Sequence, residues 1–195
     1  MDGAKSAQTQ ATKQKLERVA RALFGADGFA GVSAEHLVAR ADVTRGALYH
    51  HYAGKEGLFE AVVDTLMLEV HDRLAARAAG SADPLEALKR GIGEFFEACA
   101  EPATRRILLV DAPAVLGWGR WREMDAKYGL GLIKGGLSGA MGAGLLQRQD
   151  LDILSHTLLG AITELAMVIS SSSSPKKSRA AARRTIASMI DAWRT

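Results

Sequence analysis

Apolar residues recur at intervals of three and four along almost the whole chain, and no stretch sustains the alternation of two that a half-buried strand needs. Leu16, Val19, Ala20, Leu23 and Phe24 form one such stripe, which only a helix can turn to a single face. Aromatic residues, common in strands, make up 6% of the sequence. The pattern predicts an all-α fold of about nine helices.

Punctuation along the chain sets the expected boundaries. Asp27-Gly28 ends the first stripe, where glycine suits a left-handed cap. Ser33 is placed to cap a short helix to Arg40, with Glu35 in its first turn, and Thr44 to cap another over Arg45–Tyr52. After Ala53-Gly54 a long helix is expected from Lys55 to Ala79, and further helices over 84–100, 103–111, 119–146, 150–171 and 176–194. Asp111–Gly117 and the serine tract before Pro175 are expected as loops. This gives two domains, 1–55 and 56–195, with residues 1–12 as a flexible tail whose Lys5, together with Lys13, could reach nucleic acid.

The chain has 195 residues and a formal net charge of +3, distributed as +1 over residues 1–60, −3 over 61–175 and +5 over 176–195. Bulk charge therefore does not identify a nucleic-acid partner. The basic run Lys176-Lys177-Ser178-Arg179 reads as a solvated helix start. Cys99 is alone, so no internal disulfide is available, which fits a reducing compartment. No uninterrupted apolar run of membrane-crossing length or secretory segment is read, so a cytoplasmic location without membrane contact is expected. His50 and His51 are adjacent rather than four apart and cannot share one helical face as metal ligands. No metal, cofactor or catalytic motif is read, and the glycine-rich 135–144 stretch follows helical rather than phosphate-loop pattern.

Residues 32–49 read as a helix-turn-helix: two short helices, a three- to four-residue turn, and Leu37, Val38, Ala41, Val43 and Leu48 to pack between them. The second helix then presents Thr44, Arg45, Gly46, Ala47, Tyr49 and His50 on a rod that fits a major groove. The continuation strengthens this. Gly28-Phe29, Ser33, Val43-Thr44, Gly46, Leu48-Tyr49, His51-Tyr52, Lys55-Glu56 and Leu58 together resemble the amino-terminal signature of the tetracycline-repressor (TetR) family of transcriptional regulators.

The resemblance implies a ligand-responsive, dimeric, sequence-specific DNA-binding regulator, usually a repressor released from a pseudo-palindromic operator by a small effector. It implies DNA contacts at Ser33, Thr44, Arg45, Gly46, Ala47, Tyr49, His50, His51 and Lys55. Arg45 suits bidentate reading of guanine, Lys55 suits a phosphate, and Gly46 and Ala47 permit close approach. His51 and Tyr52 remain divided between groove and core.

The larger domain leaves more open. Phe95, Phe96, Cys99, Trp118, Trp121, Met124 and Tyr128 could line an apolar effector pocket, with Arg105, Arg122 or Asp125 as polar groups, or could simply fill a core. Leu158, Ile162, Leu165, Ile186, Met189, Ile190 and Trp193 stripe the last two helices as core, homodimer surface, or both. The competing reading is a helical small-molecule-binding protein or enzyme without DNA binding.

Overall fold

The computed structural model describes residues 2–195, with residues 2–5 described by their backbone alone. Its elements are α1 (Asp2–Asp27), α2 (Ala34–Ala41), α3 (Arg45–Tyr52), α4 (Lys55–Ala78), α5 (Pro84–Ala98), α6 (Pro102–Arg105), a π-helical stretch (Arg106–Asp111), α7 (Ala112–Leu116), α8 (Trp118–Gly142), α9 (Leu151–Ser171) and α10 (Pro175–Asp191). Among the described residues there is no strand, and the run from Pro102 to Leu116 is one broken helical segment. The stretch expected as a flexible tail belongs to α1 from Asp2 onward; Met1 and the side chain of Lys5 lie outside what is described.

The chain divides into two compact units, residues up to Leu66 with Pro102–Trp121, and Met67–Glu101 with Arg122–Thr195. Pro102–Trp121 joins the first unit because it packs on α1. The Phe29 amide donates to Asp111 Oδ2 at 2.8 Å, Arg106 donates to the Ala26 carbonyl, and Gly25 leaves room for Ala103. A methyl at Gly25 would sit 2.8 Å from the Ala103 Cβ.

The core of the first unit is the stripe read from the sequence. Leu16, Ala20 and Phe24 of α1 are fully buried, as are Leu37, Ala41, Leu48, Leu58 and Phe59. Phe24, Phe29 and Phe59 form a mutual cluster with ring centroids 5.0–5.7 Å apart, the offset and edge geometries that aromatic quadrupoles favour.

The expected loop over Asp111–Gly117 is helical instead. In the π register the Ala112 amide bonds back to the Ile107 carbonyl, so the Leu108 carbonyl falls opposite Pro113, which has no N–H to give. Trp121 Nε1 supplies the missing donor at 2.8 Å. The helical run stops at Gly117, whose φ of +79° favours glycine.

In the second unit α10 packs on both α9 and α5. Asp83 caps α5 through the Leu85 and Glu86 amides, with Pro84 at the first turn, and Asp150 caps α9 through the Ile153 amide. The serine tract closes tightly: Ser172 Oγ lies 2.8 Å from Ser178 Oγ and accepts from the Ser174 amide. By length and composition α9 could cross a membrane, contrary to the expectation that no segment could. Its Leu154, Leu158, Leu159, Ile162, Ala166 and Ile169 are buried within the fold, the habit of a core helix.

Candidate nucleic-acid interface

α2 and α3 meet through a turn fixed by local chemistry. Asp42 adopts the left-handed conformation (φ 49°), and its amide and that of Val43 return to the Ala39 and Val38 carbonyls. Ser33 Oγ accepts from the His36 amide and Thr44 Oγ1 from the Ala47 amide, each at 3.1 Å. Both caps use the hydroxyl oxygen as acceptor, so each hydroxyl proton points away from its cap; that of Ser33 serves the Glu35 carboxylate. Leu48 alone of α3 is fully inside.

The remaining face of α3 is open. Thr44, Arg45, Gly46, Tyr49 and His50 are exposed, Ala47 and His51 half-buried, and the Tyr49 ring is 49% exposed, unusual for so large an apolar surface. Arg45 donates to Glu35 Oε1 at 2.7 Å and lies over the Tyr49 ring, 5.5 Å from its centroid. Tyr49 and Glu35 both hold the guanidinium more firmly charged than usual. The Glu35 carboxyl is held below its ordinary range by its own backbone hydrogen bond and then by Arg45. Glu35, a residue the sequence reading placed only in a helix turn, is thus the guanidinium's partner in the unbound chain.

Two glycines on adjacent elements have opposite reasons. A Cβ on Gly57 would lie 1.7 Å from the Tyr52 carbonyl oxygen, so α4 can pass the end of α3 only with glycine there. A Cβ on Gly46 would meet nothing closer than Thr44 Oγ1 at 3.7 Å, an ordinary contact. Folding therefore needs Gly57 and does not need Gly46, which leaves a bare strip of backbone on the exposed face.

Lys55 and Tyr52 are engaged internally. Lys55 Nζ donates to the Phe29 and Val32 carbonyls at 3.1 and 3.0 Å and lies 3.8 Å from the centroid of the Phe29 ring. Two of its three protons thus fasten the loop ahead of α2, and one is left for an outside group. Tyr52 donates to Glu17 Oε1 at 2.7 Å, and burial followed by that carboxylate pushes its phenol up. Tyr52 is a tie between α3 and α1 rather than a groove residue.

The aromatic set expected around a pocket divides between the two units. Trp118 and Trp121 belong to the first unit, where Trp121 is buried against the Leu108 carbonyl and Trp118 is 59% exposed. Phe95, Phe96, Cys99, Met124 and Tyr128 belong to the second. The cavity there has a volume of about 520 Å³ and lies among α4, α5, α8 and α9, with Phe95 the one member of the set on its wall. Phe96, Cys99 and Met124 are packed into the core, and burial pushes the Cys99 thiol up, so it is no ready nucleophile. Arg122 and Asp125 form an ion pair at 2.6 Å, and Asp125 lines the cavity. Burial raises the Asp125 carboxyl, partly offset by Arg122 and by the Thr163 hydroxyl.

Of the residues expected at a dimer surface, Leu158, Ile162, Ile186 and Ile190 are buried within the single chain, while Leu165, Met189 and Trp193 are partly exposed. A stripe of apolar side chains on one helix reads alike for core and interface. The exposed apolar side chains of α9 are Ile153 and Val168, which that reading did not include. Nor is the basic run of α10 wholly solvated: Arg179 and Arg183 both pair with Glu97.

Comparison with known proteins agrees with this architecture. Residues 18–62 match the family model described as bacterial regulatory proteins, tetR family, and residues 85–193 match the tetracyclin repressor-like C-terminal domain. The TetC protein of transposon Tn10 from Escherichia coli is 23% identical over 81% of this chain and 80% of its own length. A probable HTH-type transcriptional regulator of Pseudomonas putida, ArpR, is 36% identical over 51% of this chain, which spans about half (49%) of that protein. A crystal structure of a TetR-family transcriptional regulator from Pectobacterium atrosepticum superimposes with a TM-score of 0.87 and 28% identity, covering 97% of both chains. With the helix-turn-helix in the first unit and the family's C-terminal domain spanning most of the rest, the chain belongs to the TetR family of DNA-binding transcriptional regulators.

Proposed function

We propose that the protein is a homodimeric repressor that reads a pseudo-palindromic operator through α3 and releases it when a small molecule enters the cavity of the second unit. The observation that carries this reading is the exposed strip Thr44-Arg45-Gly46, with Tyr49 beside it. It offers a guanidinium fork, two hydrogen-bonding hydroxyls and a stretch of backbone with no side chain over it.

Arg45 is the base reader in this scheme. To reach guanine O6 and N7 it exchanges Glu35 for the base edge, a trade between two exposed partners and so a cheap one. Ser33, Thr44 and Tyr49 donate to phosphates that flank the groove, and the half-buried His51 has the same role more weakly. His50 contacts the backbone beside Tyr49. Lys55 gives its third proton to a phosphate while holding the loop that orients α2.

The dimer follows from the operator symmetry: two identical heads on successive major-groove faces need a twofold axis. The exposed apolar residues of α9, Ile153 and Val168, with half-buried Leu165 and Met189, are the surface proposed to meet the mate. The lever is α4, a single helix whose residues up to Leu66 belong to the first unit and whose Leu74 and Ala78 line the cavity. An effector that favours one placement of α4 weakens operator binding, and the operator weakens effector binding by the same factor.

The test is fluorescence anisotropy with a labelled duplex over a series of salt concentrations. Arg45→Ala is expected to lose affinity for its own operator at least tenfold more than for an unrelated duplex, with the salt slope nearly kept. Equal loss on every duplex would remove Arg45 from base reading.

A further inference from the structure

We infer that the cavity of the second unit takes an uncharged, largely apolar small molecule with one hydrogen-bond donor, a hydroxyl or N–H, presented to Asp125 Oδ1. The inference rests on the proposed regulation only in naming that molecule the effector.

The cavity's volume of about 520 Å³ lies within the usual span of small-molecule sites. Its walls are apolar, with Leu74, Leu88, Ile92, Phe95, Leu159 and Ile162 supplying most of the bulk. Glycines of α8 shape it as well: Gly129 and Gly136 lie close under Leu159 and Leu88, so larger side chains there would push into those residues. Among the described residues Asp125 is the one ionisable side chain on the wall.

Asp125 is half-satisfied. Its Oδ2 accepts from the Arg122 guanidinium at 2.6 Å and from the Thr163 hydroxyl at 3.1 Å, whereas Oδ1 takes no hydrogen bond from any described residue. No buried side-chain oxygen is left without a partner among the described residues, so Oδ1 faces accessible space. The charge at this spot is already balanced by Arg122. A cationic ligand would leave a net positive charge in an apolar enclosure, and an anionic one would face the carboxylate; an unpaired buried charge is strongly unfavourable in either case. A neutral donor completes the carboxylate's hydrogen bonding without changing the charge, and a bond to an ionised acceptor is among the stronger kinds. Burial holds the Asp125 carboxyl above its ordinary value, in keeping with a charge short of solvation on one side.

The test is isothermal titration calorimetry of the full chain, without DNA, against four molecules on one skeleton: 2-naphthol, 2-methoxynaphthalene, 2-naphthoate and 2-naphthylmethylammonium at pH 7. 2-Naphthol is expected to bind at least tenfold more tightly than each of the other three. In Asp125→Asn, Arg122 and Thr163 retain the amide oxygen and the amide N–H turns to the cavity, so the preference for naphthol over its methyl ether is expected to vanish or reverse. Ala87→Phe, which fills the cavity from α5, is expected to weaken naphthol at least tenfold. A charged probe binding best, four equal affinities, no binding at all, or an unchanged order in Asp125→Asn would each overturn the inference. The wild-type order decides by itself should the asparagine variant fail to fold. Duplex binding measured in parallel keeps the two claims apart: a chain that sorts the probes as expected yet ignores DNA refutes the repressor and leaves the cavity assignment standing.

Discussion

Replacing Gly46 with alanine separates what α3 needs to fold from what it needs to bind. The added methyl meets only Thr44 Oγ1 at 3.7 Å, so it strains nothing inside the chain. Alanine is the better helix former by up to about 1 kcal/mol, less in the first turn where Gly46 lies. For a chain of this size that corresponds to a melting temperature raised by at most about 2–4 °C. On DNA the same methyl stands where the backbone is proposed to lie against the groove. One extra carbon in a close-packed contact costs about 1–3 kcal/mol, or roughly five- to 150-fold in affinity. Differential scanning calorimetry and duplex anisotropy on the same preparation read both numbers. A variant that melts no lower than wild type and binds its operator at least fivefold more weakly is the expected result. Unchanged affinity together with a raised melting temperature would show that α3 does not lie against DNA at Gly46, and would refute the argument from bare backbone.

Other perturbations probe the supports. Gly57→Ala drives a methyl into the Tyr52 carbonyl oxygen and is expected to abolish the cooperative melting of the native fold, read by circular dichroism. Lys55→Ala frees the Phe29 and Val32 carbonyls and is expected to destabilise by about 1–3 kcal/mol in urea unfolding, besides weakening all duplexes alike. Trp121→Phe strands the Leu108 carbonyl opposite Pro113, with an expected loss of about 1–3 kcal/mol in the same assay. The pH dependence carries a definite sign. Because the folded-state Asp125 carboxyl is raised, its stabilising contribution is complete below the ordinary carboxyl range and is lost as pH rises through the raised value. Asp125→Asn is expected to flatten that part of the stability profile; an unchanged profile would assign the titration elsewhere.

The first unit was readable because its signals are local. Ser33 and Thr44 cap helices a few residues away, Asp42 turns the chain between them, and a stripe from Leu16 to Phe24 must face one way. What escaped reading depends on partners distant in sequence. The π register ahead of Pro113 orphans a carbonyl that Trp121 rescues thirteen residues later, so a tryptophan that looked like a pocket wall is a backbone partner. The cavity gathers residues from four helices far apart in sequence, and of the aromatic side chains read as its wall only Phe95 lines it. Lys55 looked free for phosphate because nothing in its neighbourhood announces the Phe29 and Val32 carbonyls. Core and dimer surface share one apolar spacing, so buried Leu158 and Ile190 could not be told from half-exposed Leu165 and Met189 until burial was known.

Whether α3 reads sequence from a symmetric dimer is tested most directly by selection from a randomised duplex pool. Bound duplexes are sequenced, and the winner is titrated with salt. The predicted result is an inverted repeat whose half-sites lie about one helical turn, roughly 34 Å, or a multiple apart. Affinity should fall steeply with salt, in proportion to the phosphates engaged. Selection that enriches no sequence, by a folded and ligand-free protein, would contradict it.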